Sequence, residues 1–233
     1  MPWGTIANAA AIVAGSLVGL IMHGRFPENV RTIVFQALGL AVMLIGLQMA
    51  LKMDRPLIMV FSLVLGGIAG ELLRVEDRLE ALGERLKGAL RSRNALFTDG
   101  FVSASILYCV GSMAILGALD DGLRNDPTIL LTKATLDGFA AIALASTYGV
   151  GVMFSAVPIL IYQGAMTLAA GSVRAFVTPQ LLGSLTAVGG LLIVAIGINL
   201  LGLARIKVGN LLPALVAAAL LSFVPAHAAG VIS

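Results

Sequence analysis

Two oppositely charged residues, Lys133 and Asp137, lie in the segment TKATLDGF, which is flanked by apolar residues on both sides. On a helix, a spacing of four places both side chains on one face, with a rise of about 6 Å between them. An ionisable group within membrane hydrocarbon costs about 2.5–3.5 kcal/mol on insertion scales. We therefore expect either a structural ion pair, or a site where Asp137 binds a cation or proton and Lys133 attracts an anion. A third alternative is that Lys133 extends to the membrane interface.

Polar residues near the start of the chain occupy a register similar to that of the charged pair. Thr5 and Asn8 lie in the first apolar segment, and Thr135 lies between the two charged residues. Hydroxyl, amide and carboxylate oxygens suit hard cations, and they also suit the ammonium group of an amino acid. We expect Asp137, Lys133, Thr5, Asn8 and Thr135 to form a substrate- or ion-binding site between the two halves of the chain.

Four further polar residues within apolar segments are weaker candidates for the same site: Gln48, Tyr162, Gln163 and Asn199. Uncharged amides such as Gln48 and Asn199 could instead form hydrogen bonds between helices. The glycine pairs Gly15/Gly19 and Gly66/Gly70 have the GxxxG spacing, which predicts close helix packing rather than ligand binding.

The composition shows which elements must position these residues. The chain has 233 residues, of which 59% are hydrophobic and 12% are charged, with a mean hydropathy of +1.01. A soluble domain of this length could not bury so much apolar surface. Apolar runs of about 20 residues recur, which is the length of a transmembrane helix. We therefore expect an all-α, polytopic membrane protein, and its small net charge of +3 gives no reason to expect a nucleic-acid partner.

The runs predict seven or eight spans in a single transmembrane domain of residues 1–233. The predicted spans are Trp3–Met22, Ile33–Leu51, Leu57–Leu73, Phe101–Leu119, Thr128–Tyr148, Val150–Ala170, Leu181–Ala204 and Val208–Val224. Residues 74–96 are predicted to form an amphipathic helix with a leucine stripe, which either lies on the membrane surface or packs against another subunit. The basic residues of 71–94 place this segment in the cytoplasm, and both termini on the opposite side.

Two early stretches are similar to later ones and predict an internal repeat. TIANAAAIVAGSLVG from Thr5 matches TLDGFAAIALASTYG 130 positions later, and GLAVMLIGLQ from Gly39 matches GLLIVAIGIN 151 positions later. We expect residues 1–73 and 128–233 to be repeat-like halves, with an additional span in the second half. Residues 97–127 would then form a connecting span. Duplicated units with broken helices are typical of secondary transporters.

Several stretches resemble one bacterial membrane-protein family, catalogued as domain of unknown function 554. The stretches are GTIANAAAIVAGSLVG, CVGSMAILGALDDGL, LLTKATLDGFAAIALASTYGVGVMFSA, YQGAMTLAA and IGINLLGLARIKVGNLLPAL. Ser112 stands where the family pattern leads us to expect a proline, a difference that would relax a kink in the fourth span. The resemblance implies a multi-pass protein of the bacterial inner membrane and implies no particular substrate.

The absence of catalytic motifs narrows the expected function. The sequence has no HExxH, Walker A or GxSxG motif, so we expect neither an enzyme nor a resident cofactor. We expect a secondary transporter of a small polar solute or ion, coupled to Na⁺ or H⁺, that works in the lipid bilayer as a homo-oligomer. The alternatives are a passive channel and a non-transporting membrane scaffold that uses the leucine stripe of residues 72–90.

Overall fold

The computed structural model describes residues 2–23, 28–53, 55–110 and 112–223, and every regular element in these ranges is helical. Val224, the predicted end of the last span, lies outside the described residues. The α-helices are α1 (Trp3–His23), α2 (Glu28–Ala50), α3 (Pro56–Leu73), α4 (Val75–Ala89), α5 (Phe97–Cys109), α6 (Ser112–Arg124), α7 (Thr128–Tyr148), α8 (Gly151–Phe154), α9 (Ala156–Leu168), α10 (Ala170–Val173), α11 (Pro179–Leu200), α12 (Val208–Leu211) and α13 (Pro213–Ser222). A 3₁₀ turn at Arg174–Phe176 follows α10.

Five helical segments in the described part of the chain are long and apolar enough to cross a membrane. They are α1, α3, α7, the α8–α9 segment and α11. The pair α5–α6 passes the same test as one span bent by 61°. Two shorter apolar segments, Gln36–Ala50 and Val208–Ser222, fall below that length. The helical membrane class is thus confirmed, whereas the predicted number of seven or eight spans is not.

Helices α1 and α7 pack closely because α1 has glycines on the contact face. A Cβ atom on Gly15 would collide with the backbone carbonyl of Gly138, and one on Gly19 would lie 2.9 Å from the Ser146 nitrogen. Near the start of α1, Gly4 lies against Leu130 of α7. Because the contacts advance together along both sequences, the two helices run parallel. The predicted packing role of the first glycine pair is confirmed.

Helices α2 and α11 also meet through glycines, but they run antiparallel. Gly39 lies against the Gly197 carbonyl, whereas Gly46 lies against the Gly190 carbonyl, at 2.6 Å from a Cβ built on Gly46. Similarly, α3 packs antiparallel on α12 and α13, because Gly66 and Gly70 of α3 contact Ala214 and Asn210 respectively. The second GxxxG pair is therefore a packing contact, as predicted.

The predicted repeat is not confirmed by this packing. It equates α1 with α7 and α2 with α11, yet α1 and α7 run parallel whereas α2 and α11 run antiparallel. If α1 and α2 cross the membrane in opposite directions, then α7 and α11 cross it in the same direction, and a single superposition cannot align both pairs. The local environments differ too: Thr5 is buried, whereas its predicted equivalent Thr135 is exposed.

The bent pair α5–α6 extends from one end of the α1–α7 pair to the other. At the start of α5, Phe97 contacts Gly151, just after the C-terminus of α7. At the end of α6, the buried carboxylate of Asp121 accepts a hydrogen bond from the Gly4 nitrogen at 3.1 Å, at the N-terminus of α1. This placement supports one bent crossing rather than two separate surface helices.

Helix α4 lies at one end of the molecule, against the α11–α12 loop. The Arg205 guanidinium is 3.5 Å from a Glu80 oxygen of α4, and Lys207 Nζ is 3.1 Å from a Glu71 oxygen at the end of α3, just before α4. The predicted topology placed both segments on the same side of the membrane, and the contacts agree with that. The predicted helix 74–96 is shorter than expected and ends at Ala89.

Candidate functional site

The charged pair of α7 is an ion pair inside the protein. Lys133 Nζ donates a hydrogen bond to Asp137 Oδ2, and the two side chains are only 7% and 12% exposed. The alternative in which Lys133 extends to the membrane interface is therefore wrong in this structure. Each charge is matched by its neighbour one helical turn away, because a buried charge without a partner would be strongly destabilising.

Helices α1 and α9 bring amide groups to this pair. Asn8 Nδ2 donates to Gln163 Oε1 at 3.1 Å, and both residues are fully buried. The Asn8 amide also lies close enough to Asp137 to interact with its carboxylate. Thr5 is buried one turn before Asn8 and lies on the same face of α1, since residues three apart are neighbours on a helix.

Helix α5 contributes Tyr108, which the sequence interpretation missed. The ring is fully buried, and the Lys133 ammonium lies 5.9 Å from its centroid. At that distance an ammonium is attracted by the negative face of an aromatic ring. Tyr108 therefore brings an aromatic ring of α5 to the lysine of α7, and its buried hydroxyl adds a polar group.

We call Thr5, Asn8, Tyr108, Lys133, Asp137 and Gln163 the polar cluster. Within the described part of the chain, several of its buried polar atoms have no hydrogen-bond partner: Thr5 Oγ1, Asn8 Oδ1, the Tyr108 hydroxyl and Gln163 Nε2. An unsatisfied buried polar group costs about 1–3 kcal/mol. The cluster thus has both acceptors and donors to offer to an ion, a solute or water.

The break in the bent span lies beside the polar cluster. Helix α5 ends at Cys109, immediately after Tyr108, and Val110 has an extended backbone. The last carbonyls of α5 and the first N–H groups of α6 lack partners within their own helices, as at every helix terminus. Broken spans with exposed backbone groups near the middle of the membrane are typical of binding sites in transporters.

The remaining predicted site residues lie apart from the cluster. Thr135 is exposed and its hydroxyl donates to the Leu131 carbonyl, while Gln48 is exposed on α2. The Asn199 side chain bonds both backbone groups of Ile206, at 2.8 and 2.7 Å, and so fixes the end of α11. Tyr162 is half-buried and lines an apolar cleft. The structure thus unites Lys133, Asp137, Thr5, Asn8 and Gln163, but not the other four.

A second, polar cleft of ≈ 500 Å³ opens at the end of the molecule that carries α4. The carboxylates of Glu76, Glu80 and Asp99 line it, together with the Arg205 guanidinium. The Glu76 carboxylate accepts from the Gly209 nitrogen at 2.5 Å. Burial raises the pKa of Glu76, although that hydrogen bond acts in the opposite direction. The cleft therefore has more acidic than basic side chains.

Metal binding by a conventional set of ligands finds no support in the residues that the structure describes. They contain no group of three or more His, Cys, Asp or Glu side chains placed to hold a metal ion. The polar cluster instead has one carboxylate, paired with the Lys133 ammonium, together with neutral oxygens of the kind that bind hard cations.

These features define a helical membrane protein with several spans and an ion pair buried between them. A family model described as "Protein of unknown function (DUF554)" matches residues 3–223, and the chain belongs to this family. The predicted family is confirmed.

The chain is similar to two curated proteins over nearly its whole length. It is 34% identical to "Uncharacterized membrane protein YdfK" of Bacillus subtilis (strain 168), over 98% of each chain. It is 32% identical to "Uncharacterized protein YqgA" of Escherichia coli (strain K12), over 94% of this chain and 95% of the relative. No solved structure matches the chain significantly.

Proposed function

We propose that the protein is a secondary transporter that moves a small polar solute or ion across the bacterial inner membrane and is coupled to H⁺ or Na⁺. The observation that carries the proposal is the polar cluster: one ion pair and four polar atoms without partners, buried where α1, α5, α7 and α9 meet. A purely structural ion pair would need no such surplus of hydrogen-bonding groups. Helical spans support the inner membrane, because outer-membrane proteins of bacteria are typically β-barrels.

Coupling follows from competition for Asp137. In this structure the Lys133 ammonium donates a hydrogen bond to the Asp137 carboxylate. A proton or Na⁺ that reaches Asp137 displaces the ammonium, which is then free to bind an anionic group of the solute. The unpartnered oxygens of Thr5 and Asn8 add ligands for the cation, and Gln163 Nε2 adds a donor for the solute.

The route between the cluster and one side of the membrane is the polar cleft beside α4. Its innermost residue on α5 is Ile106, which lies about 3 Å along the helix from Tyr108 of the cluster but on the opposite face, so α5 itself forms the barrier between the cleft and the cluster. The bend between α5 and α6 lies just beyond Tyr108. Rotation of one half of this span against the other would open and close the short barrier, as hinge motions do in other transporters.

Uptake by reconstituted proteoliposomes tests the function. A panel of radiolabelled amino acids, small organic acids and inorganic ions is offered with an imposed H⁺ gradient, with an imposed Na⁺ gradient, and with neither. We expect at least one compound to accumulate only when a gradient is present. Accumulation of none, under any gradient, would refute transport, and gradient-independent flux that only equilibrates would indicate a channel.

Two matched threonines test whether the uptake uses the cluster. Thr5→Val removes a buried hydroxyl of the cluster, and Thr135→Val removes an exposed hydroxyl two residues from Asp137. Loss of the hydrogen bond or ligand that Thr5 Oγ1 would offer to the bound cation or solute is worth about 1 kcal/mol, so we expect Thr5→Val to lower uptake about fivefold. Thr135→Val should retain the wild-type rate. Equal effects of the two substitutions would place the pathway elsewhere.

A further inference from the structure

An apolar cleft of ≈ 490 Å³ lies on the flank of the molecule, apart from the polar cluster. Its walls come from α4, α5, α6, α9, α11 and α13, and nearly all of its surface is hydrocarbon. Helix α5 forms one wall with a continuous stripe from Phe101 to Val110. Leu79 and Leu82 of α4 also line the cleft.

The length of the cleft matches one leaflet of a bilayer. The stripe from Phe101 to Val110 spans nine residue steps, which is about 14 Å at the helical rise of 1.5 Å per residue. Half of a hydrocarbon core about 30 Å thick is about 15 Å. An acyl chain that begins at α4 would therefore end near the break between α5 and α6.

Helix α4 presents basic groups beside the mouth of this cleft. Arg78 and Arg85 are four residues before and three after Leu82, so all three lie on one face of the helix. Both arginines are exposed, and neither forms an ion pair with a described residue. The acidic residues Glu76 and Glu80 lie on another face, toward the polar cleft.

We propose that this cleft binds an anionic phospholipid, with one acyl chain along α5 and the phosphate beside Arg78 and Arg85. The two arginines favour an anionic headgroup, since basic residues next to a membrane span attract anionic lipids. The apolar walls and the length of the cleft favour an acyl chain. The site is distinct from the polar cluster, so a result that refutes the transport proposal leaves this proposal unaffected.

Native mass spectrometry of the purified full-length protein tests the headgroup. Phosphatidylglycerol and phosphatidylcholine with identical chains are added separately, and bound lipid is counted. Two arginines near the surface predict a preference of about thirtyfold for phosphatidylglycerol. The double variant Arg78→Gln, Arg85→Gln should abolish this preference. The control double variant Arg91→Gln, Arg93→Gln removes the same charge beyond the C-terminus of α4 and should keep the preference. An unchanged preference in the first variant, or an equal loss in both, would overturn the proposal.

Photo-crosslinking of the wild-type protein tests the position of the chain. Phosphatidylglycerol with a diazirine in its acyl chain should label residues 101–110 and 212–219, and excess unlabelled phosphatidylglycerol should suppress the labelling. Ala219→Phe fills the cleft and should suppress it too. Labelling that is confined to the exposed face of α3, at residues 57–68, or that excess lipid does not reduce, would show only nonspecific lipid contact and would refute the site.

Discussion

Removal of one member of the Lys133–Asp137 pair should destabilise the protein far more than removal of both. The side chains are 7% and 12% exposed, so Asp137→Leu leaves a buried ammonium and Lys133→Met leaves a buried carboxylate. Breaking a buried pair in this way typically costs about 3–5 kcal/mol. Replacing both residues with apolar ones is often neutral.

Thermal unfolding in detergent measures this cycle. For a protein of this size, 1 kcal/mol shifts Tm by about 2–4 °C, so each single substitution should lower Tm by roughly 6–20 °C. The double variant should unfold within a few degrees of the wild type. Lys52→Met, at an exposed lysine, is the control and should shift Tm by about 1 °C. If the two single effects simply add in the double variant, the pair is not coupled and the reasoning is refuted.

Three further predictions concern packing, pH and topology. Gly190→Val places a Cβ about 2.6 Å from the Gly46 carbonyl and should cost on the order of 1–3 kcal/mol in thermal unfolding, whereas Gly171→Val meets open space and should not. Burial raises the pKa of Glu76 in the folded protein. The contribution of Glu76 to folding stability is therefore greatest below the ordinary pKa of a glutamate, and it is lost as pH rises through the raised pKa. Hydrogen exchange in α12, corrected for intrinsic rates, should therefore accelerate as pH rises above the ordinary pKa of a glutamate, and Glu76→Gln should abolish that change. Arg85→Cys, in a protein without Cys109, should react with an impermeant thiol reagent only from the cytoplasmic side; reaction only from outside would reverse the topology.

The inward-facing part of the cluster was predictable because helical spacing alone places its members. Lys133 and Asp137 are one turn apart, and the burial of both follows from the cost of exposing charge to lipid. The same geometry shows why Thr135 lies apart from the cluster. Two residues correspond to about 200° around a helix, so Thr135 faces away from Asp137. The repeat offset pointed to Thr135, but the helical periodicity already excluded it from that face.

Two buried polar residues could not be found from spacing. Tyr108 sits among apolar residues of α5, and only the packing of α5 on α7 brings its ring beneath Lys133. Asp121 lies beyond Leu119, the predicted end of the fourth span, yet α6 continues to Arg124 and the Asp121 carboxylate accepts a hydrogen bond from the Gly4 nitrogen. Both contacts join segments that are distant in sequence, and a local pattern contains no information about such pairs.

The boundaries of α4 illustrate a different limit. The leucine stripe predicted a helix over 74–96, but Arg74 and Arg91 both adopt left-handed backbone conformations, with φ of 49° and 50°. These two residues interrupt the helix on either side of Val75–Ala89. Arginine rarely adopts this conformation, so nothing in the residue types marks the interruptions. The stripe itself was informative, because Leu79 and Leu82 line the clefts beside α4.

Gradient-driven uptake by an Asp137→Asn protein tests the central proposal most directly. Asparagine keeps the size and one oxygen of the side chain but cannot accept a proton or hold a full negative charge. Asp77→Asn, at an exposed carboxylate of α4, is the matched control. For variants that insert and purify like the wild type, we expect Asp137→Asn to abolish accumulation or its dependence on the gradient, and Asp77→Asn to leave both unchanged. Uptake by Asp137→Asn at the wild-type rate, with the same ion dependence, would contradict a transport role for Asp137 and leave only a structural ion pair.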